Sequence, residues 1–125
     1  MEQNKEKKSF DLRGESKEFA IKIVKLYQHL TEYAPKKEYN LSKQLLLAGT
    51  RVGDFVRQES QLEAYHMARS THYWLELLIE GGYIHKPDIE NLLDLSDHLT
   101  RYLYVISHPE TRQKGNAESS SVSNN

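Results

Sequence analysis

Four segments of about twenty residues, each apolar at helical spacing and separated by short polar turns, make up most of this chain. Helices of similar length joined by short turns bury one another's apolar stripes by packing antiparallel. The chain is therefore predicted to be all-α, with the architecture of an antiparallel up-down-up-down four-helix bundle. The four predicted helices cover 16–34, 40–58, 60–82 and 87–108.

The predicted domain organisation is one bundle flanked by two polar ends. A chain of 125 residues is long enough to bury a single core without disulfides, and it has no cysteine. The bundle is expected to cover 16–109, after a charged N-terminal segment, 1–15, that leads into no apolar signal core. The tail 110–125 is rich in Ser and Asn and is predicted to be disordered. No apolar run approaches the ~20 residues of a membrane span, so a cytoplasmic location without membrane contact is expected.

Capping signals set the expected ends of the first two helices. Ser16 is predicted to be the N-cap of the first helix, and Pro35 to stop it. Residues 36–38, Lys-Lys-Glu, are interpreted as a solvated loop, and Asn40 as the cap of the second helix.

Two further signals delimit the third helix. Ser60 and Glu63 match a capping box, which predicts a break between the second and third helices near Glu59. Gly81 and Gly82 follow the last apolar position and are expected to end the third helix as a C-cap.

The second helix contains two glycines four residues apart, Gly49 and Gly53. Each costs about 1 kcal/mol relative to alanine inside a helix. Close backbone approach by a neighbouring helix is the expected compensation, and a functional hinge is the alternative.

No recognisable catalytic, cofactor-binding or metal-binding set emerges from the polar residues. Glu63 and His66 have the Glu-x-x-His spacing of carboxylate-bridged di-iron bundles, but a second such pair is missing. His72 lies among apolar neighbours and is interpreted as a hydrogen-bonded interior or interface residue. The chain is accordingly predicted not to be an enzyme and to use no cofactor.

The charges are unevenly distributed although the formal net charge is only −1. Residues 16–58 carry eight cations and four anions, a net of +4, whereas 59–108 carry three cations and eight anions, a net of −5. The first two predicted helices form the first hairpin, and the last two form the second. A polyanion such as RNA or DNA is expected to contact the first hairpin. The candidate contacts are Lys36, Lys37, Lys43, Arg51 and Arg57. The alternative is that the two hairpins attract each other, within the fold or between subunits.

Two aromatic residues flank the lysine pair of the first loop. Tyr33 and Tyr39 could stack on unpaired bases beside Lys36 and Lys37. The alternative is a solvated loop whose tyrosines fold onto the end of the bundle.

The third helix is apolar over an unusually wide arc. Such a helix is either the most buried member of the bundle or also faces a partner subunit. The candidate subunit interface consists of Met67, Thr71, Trp74 and Leu78.

Three blocks of sequence resemble a known family. They are Phe19–Tyr27 (FAIKIVKLY), Leu41–Leu46 (LSKQLL) and Tyr73–Leu78 (YWLELL) followed by Gly82-Tyr83-Ile84. They are similar to the four-helix-bundle proteins encoded within intervening sequences of bacterial 23S ribosomal RNA genes. The resemblance implies a homopentamer without known catalytic activity and, in most members, of unknown function. Related accessory proteins of retroelements bind reverse transcriptase and nucleic acid through a basic surface.

The chain departs from the family pattern after the second block. Arg51 and Phe55 stand where the family has Ser and Asn, and the stretch between Phe55 and Trp74 is about eleven residues short, or about three helical turns. The shortening leaves two possibilities, a shorter second hairpin or a fusion of the second and third helices into one helix swapped between subunits. The expected function is a self-assembling bundle with a nucleic-acid or ribonucleoprotein accessory role. The alternative is a structural or protein-binding module without nucleic-acid contact.

Overall fold

The computed structural model describes residues 10–109, and every regular element in that range is helical. The elements are α1 (Leu12–Gln28) with a π-helical turn (His29–Tyr33), α2 (Asn40–Arg57), α3 (Gln61–Glu80), a 3-10 turn (Lys86–Ile89) and α4 (Glu90–Ser107). Each helix packs along the next one, and α4 returns against α1 to close the ring. The predicted all-α fold, a four-helix bundle, is confirmed. Predictions for 1–9 and 110–125, including the disordered tail, lie outside the described residues.

The core is a cluster of apolar, mostly aliphatic side chains contributed by all four helices. All four helices contribute side chains that are fully buried, because their apolar positions recur at steps of three and four. The largest of them are Phe19, Ile23, Leu30, Leu45, Val52, Leu75, Leu78, Leu99 and Leu103. Burial of such side chains, at roughly 25 cal/mol per Å² of apolar area, is the main stabilising contribution to the bundle.

The first helix begins earlier than predicted. Asp11 is the N-cap, and its Oδ1 accepts a hydrogen bond from the amide of Gly14 at 3.2 Å. The prediction that Ser16 caps this helix is wrong, because Ser16 is buried within α1 beside α2. Phe10 and Leu12 pack against the core, and this apolar contact extends the bundle into the segment expected to precede it.

A tight turn separates α2 from α3. Glu59 has φ 62°, a left-handed conformation that non-glycine residues seldom adopt, and it reverses the chain. The amide of Ser60 donates to the carbonyl of Phe55 at 2.9 Å. The helices are therefore distinct, and the fused, swapped alternative is wrong. Ser60 is the N-cap residue, but its hydroxyl makes no capping hydrogen bond, so the predicted capping box is not formed.

The turn that follows α3 forms as predicted from its two glycines. Gly81 is the C-cap, and Gly82 has φ 86°, which glycine adopts without the steric cost of a Cβ. The amides of Tyr83 and Ile84 both donate to the carbonyl of Leu78, at 2.9 and 3.2 Å.

Gly49 lets α1 and α2 approach each other closely. A Cβ at position 49 would lie 2.8 Å from Cγ1 and 2.9 Å from Cγ2 of Ile23, which is fully buried. A Cβ at Gly53 would meet Ser16 only at ordinary contact distances of 3.5 Å and more. The predicted close approach is confirmed at Gly49, whereas Gly53 leaves room for a methyl group.

The two glycines provide a matched pair of substitutions. Gly49→Ala is expected to lower the free energy of unfolding by about 1 kcal/mol, because overpacking of ~1–3 kcal/mol exceeds the gain in helix propensity of ~1 kcal/mol. Gly53→Ala is expected to raise the free energy of unfolding by up to ~1 kcal/mol, because alanine gains helix propensity there without overpacking. Urea denaturation followed by circular dichroism measures both. Equal effects of the two substitutions would contradict this account of the α1–α2 contact.

Candidate nucleic-acid interface

The loop between α1 and α2 is fixed by two buried residues. After the π-helical turn, the amide of Ala34 donates to the carbonyl of His29 at 2.8 Å, and the Ala34 side chain is buried. The amide of Glu38 donates to the carbonyl of Leu30 at 3.0 Å. Because Ala34 and Glu38 are both held against the bundle, the exposed tip between them, 35–37, has a defined position.

Glu38 caps the N-terminus of α2 with its side chain. One carboxylate oxygen accepts from the amide of Leu41 at 2.8 Å, and the other accepts from the amide and the hydroxyl of Ser42 at 2.7 and 2.8 Å. The interpretation of Glu38 as part of a solvated loop is wrong, since only 9% of the residue is exposed. Asn40, expected to be the cap, is instead the first helical residue, after Tyr39 as N-cap.

These contacts determine the ionisation of Glu38. Burial by itself raises the pKa of a carboxyl group, but hydrogen bonds from Leu41, Ser42 and Asn40 favour the charged form. The net result is a Glu38 pKa below the ordinary value of 4.5. The negative charge therefore lies at the positive end of the α2 dipole, where it stabilises the helix start.

Tyr33 and Tyr39 flank this loop and point away from the bundle. Tyr33 directly precedes the buried Ala34, Tyr39 directly follows the buried Glu38, and the two residues are 72% and 58% exposed. The alternative in which both tyrosines fold onto the end of the bundle is therefore wrong. Each ring is exposed next to a residue that is buried against the bundle.

The two lysines of the loop tip are exposed and lightly tethered. Lys36 Nζ lies 4.6 Å from the ring centroid of Tyr83, a cation–π contact with the α3–α4 turn. Lys37 Nζ donates to the carbonyl of Ala34 at 3.3 Å. Neither contact neutralises a charge, so both ammonium groups can still attract a phosphate.

The structure divides the five candidate cations between the two ends of α2. Lys43, in the second turn of α2, is exposed near the loop, and Arg51 is exposed farther along the helix. Arg57 ends the helix and pairs with Asp54 at 2.8 Å. Since α2 has 18 residues, which corresponds to ~27 Å, Arg57 and the loop lysines do not form one compact site.

The opposite hairpin presents a groove of the other sign. A cavity of about 650 Å³ opens between α3 and α4. Its lining includes the carboxylates of Glu76, Glu80, Glu90, Asp94 and Asp97. His72 was predicted to be a hydrogen-bonded interior or interface residue. It is not interior, since 44% of its side chain is exposed in this groove, where it pairs with Glu76 at 3.2 Å. The five carboxylates outnumber the one lysine of the lining, Lys86, so this groove is less favourable to a polyanion than the basic first hairpin.

The four residues of the candidate subunit interface differ in exposure. Thr71 and Leu78 are fully buried within the bundle, and the Thr71 hydroxyl donates to the carbonyl of Met67 at 2.7 Å. Met67 and Trp74 are half-buried and retain surface on the outer side of α3. Tyr73 is exposed beside them, with its ring centroid 5.3 Å from that of Trp74.

Within residues 10–109, no group of three or more His, Asp or Glu side chains is placed to hold a metal ion. In the same range, no helix is both long enough and apolar enough to cross a membrane.

Sequence reasoning missed the contribution of Glu38. The available signal was a Glu three residues before Leu41 and four before Ser42, which places a carboxylate at the start of α2. The π-helical turn had no comparable signal in the sequence; the structure shows it with Leu30 buried within it and Ala34 buried directly after it.

Comparison with known proteins gives both a class and a family. No protein-family model matches the chain, and no curated protein matches it. The fold defines a four-helix-bundle protein. A solved structure is similar to it, that of a protein with unknown function from the S23 ribosomal protein family of Bacteroides thetaiotaomicron. The two share 33% identity with a TM-score of 0.71, over 77% of this chain and 97% of that chain. The chain belongs to the S23 ribosomal protein family.

The Glu38 cap leads to a pH-dependent prediction. Because its pKa is lowered in the folded state, the stabilisation is present above the unfolded value of 4.5 and is lost as pH falls through the folded pKa. Glu38→Gln is expected to lower the free energy of unfolding at pH 7 by about 1 kcal/mol and to flatten its decline on acidification. Urea denaturation between pH 3 and 7 measures both effects.

Glu32→Gln is the control for that experiment. Glu32 is an exposed carboxylate just before the same loop, and its substitution is expected to change stability little. If both variants unfold like the unmodified protein at every pH, Glu38 does not cap α2.

Proposed function

We propose that this protein is a non-enzymatic, self-assembling four-helix bundle that binds RNA or DNA as a nucleic-acid or ribonucleoprotein accessory protein. The proposal places it in the cytoplasm and requires no cofactor. The observation that carries the proposal is the exposed basic loop at one end of the first hairpin. Lys36 and Lys37 are held there between two buried anchors, and Lys43 follows in the first turns of α2. Charge segregation orients the interaction, because the second hairpin repels phosphates.

The proposed affinity is mainly electrostatic. Each lysine that contacts a phosphate releases a counterion, so binding weakens as salt concentration rises. Three such contacts on one chain give only weak binding, but symmetric assembly repeats them around a ring. Self-assembly and nucleic-acid binding are therefore parts of one proposal.

The proposed assembly is a homopentamer, as the family resemblance implies. Met67, Trp74 and Tyr73 supply aromatic and thioether surface on the outer side of α3, and such residues are enriched in subunit interfaces. The three sequence blocks and the membership in the S23 ribosomal protein family support the finer assignment to proteins encoded within intervening sequences of 23S ribosomal RNA genes.

A structural or protein-binding module without nucleic-acid contact is the second candidate. The same outer side of α3, with its exposed Tyr73, favours it. That module requires assembly but not the loop lysines, so the experiments below separate the two candidates.

Light scattering coupled to size exclusion tests the assembly. A mass of about five times the 14.6 kDa of one chain is expected at moderate salt. Tyr73→Glu is expected to lower that mass, because it introduces a charge beside Trp74 without touching the core. Val105→Glu, at an exposed apolar residue of α4, is the control and is expected to leave the mass unchanged. A single-chain mass for the unmodified protein would rule out self-assembly.

Charge reversal tests the nucleic-acid interaction. Lys36→Glu/Lys37→Glu is expected to weaken binding of labelled RNA and DNA by about tenfold or more at low salt and to reduce the salt slope by ~0.7 per lost phosphate contact. Fluorescence anisotropy against salt concentration measures both quantities.

Arg69→Glu/Arg101→Glu is the charge-matched control on the acidic hairpin. It changes the net charge by the same amount and is expected to alter affinity by less than about threefold. If the two variants bind alike, the loop is not the contact surface. If the unmodified protein shows no salt-dependent affinity at all, the nucleic-acid proposal fails and the structural module remains.

A further inference from the structure

Most tyrosines of residues 10–109 contact another ring or a cation, whereas Tyr33, Tyr39 and the half-buried Tyr27 do not. Among the residues described, Tyr65, Tyr73, Tyr102 and Tyr104 each pack against another aromatic or histidine ring, and Tyr83 receives Lys36. Within residues 10–109, the rings of Tyr33 and Tyr39 have neither an aromatic nor a cationic partner. They are also the two most exposed large hydrophobic residues in that range.

The exposure of these rings is built into the backbone. Tyr33 closes the π-helical turn, and Tyr39 is the N-cap residue of α2, whose start is held by the Glu38 carboxylate. A π-helical turn is rare and occurs frequently at functional sites. Because both residues adjoin buried anchors, the backbone positions from which their rings project are held by the fold. Exposed apolar surface that the fold holds in place is available for a ligand.

We propose that Tyr33 and Tyr39 form a stacking platform that makes the loop selective for single-stranded nucleic acid. This inference rests on the proposed function, since the lysines supply the phosphate contacts. The faces of unpaired bases can stack on an aromatic ring, whereas the bases of a duplex are already stacked on one another. Lys36 and Lys37 lie between the two tyrosines in the chain, so phosphate and base contacts are offered by the same segment.

The two kinds of contact have different consequences for binding. Lysine contacts attract any polyanion, single-stranded or duplex, and depend on salt. Tyrosine stacking requires accessible bases and depends little on salt. The two tyrosines therefore determine the preference for single strands over duplexes, while the lysines supply affinity for both.

The test uses the full-length protein and four labelled probes, a single strand of about 16 nucleotides and the matching duplex, each as RNA and as DNA. Single strands are expected to bind about tenfold or more tightly than duplexes at equal salt. Tyr33→Ala/Tyr39→Ala is expected to remove at least tenfold of single-strand affinity and to change duplex affinity by less than about twofold. The RNA and DNA arms show which nucleic acid is preferred.

Two controls distinguish stacking from a change in structure. Tyr33→Phe/Tyr39→Phe retains the rings and is expected to bind within about threefold of the unmodified protein. A single strand with abasic sites is expected to bind the unmodified protein as weakly as the normal strand binds the Ala variant. The effects of removing bases and removing rings are then not additive, as expected for groups in direct contact.

Several outcomes would overturn the inference, and they separate it from the proposed function. Equal affinity for single strands and duplexes, or an Ala variant that binds like the unmodified protein, refutes the platform while the lysine contacts stand. Loss of duplex affinity in the Ala variant shows that the tyrosines act on the fold of the loop rather than on bases. Absence of binding to every probe refutes both proposals.

Discussion

The close approach of α1 and α2 at Gly49 sets the spacing of the hairpin that carries the candidate site. With no Cβ at that position, the side chain of Ile23 packs directly against the α2 backbone. That contact sets the helix separation near the middle of the hairpin, and the short connection places the C-terminal end of α1 beside the start of α2. The connecting loop can then be short and anchored at both ends. A wider separation would not let Glu38 reach both the carbonyl of Leu30 and the amides of α2.

Excess positive and excess negative charge lie on opposite sides of the bundle. The helices α1 and α2 carry the excess of cations, and the outer groove between α3 and α4 carries carboxylates. The core is apolar and its largest side chains are fully buried, so it contributes stability rather than a binding surface. The proposed recognition therefore uses the surface, where the anchored loop offers both cations and aromatic rings. Pre-organisation lowers the entropic cost of binding, because the loop is already ordered.

The helices were predictable from the sequence because apolar residues at steps of three and four require a helical stripe. The ends were less predictable, because several polar residues compete for each cap. Asp11 rather than Ser16 begins α1, since Phe10 and Leu12 can still bury apolar surface. For the candidate site, the loop lysines and the tyrosines on either side of them could be identified from the charge distribution and their positions in the sequence. The distance between these residues and Arg57 could not be predicted, because that distance depends on the length and direction of α2.

The sequence by itself determined the number of helices, their order and the segregation of charge between the hairpins, because periodicity and composition are local properties. Only the tertiary structure decided that Glu38 is buried and ionised at the start of α2 and that Tyr33 and Tyr39 remain exposed. Those outcomes depend on contacts between residues on different helices. Whether a loop residue points inward is decided by the position of the neighbouring helix, which no local pattern specifies.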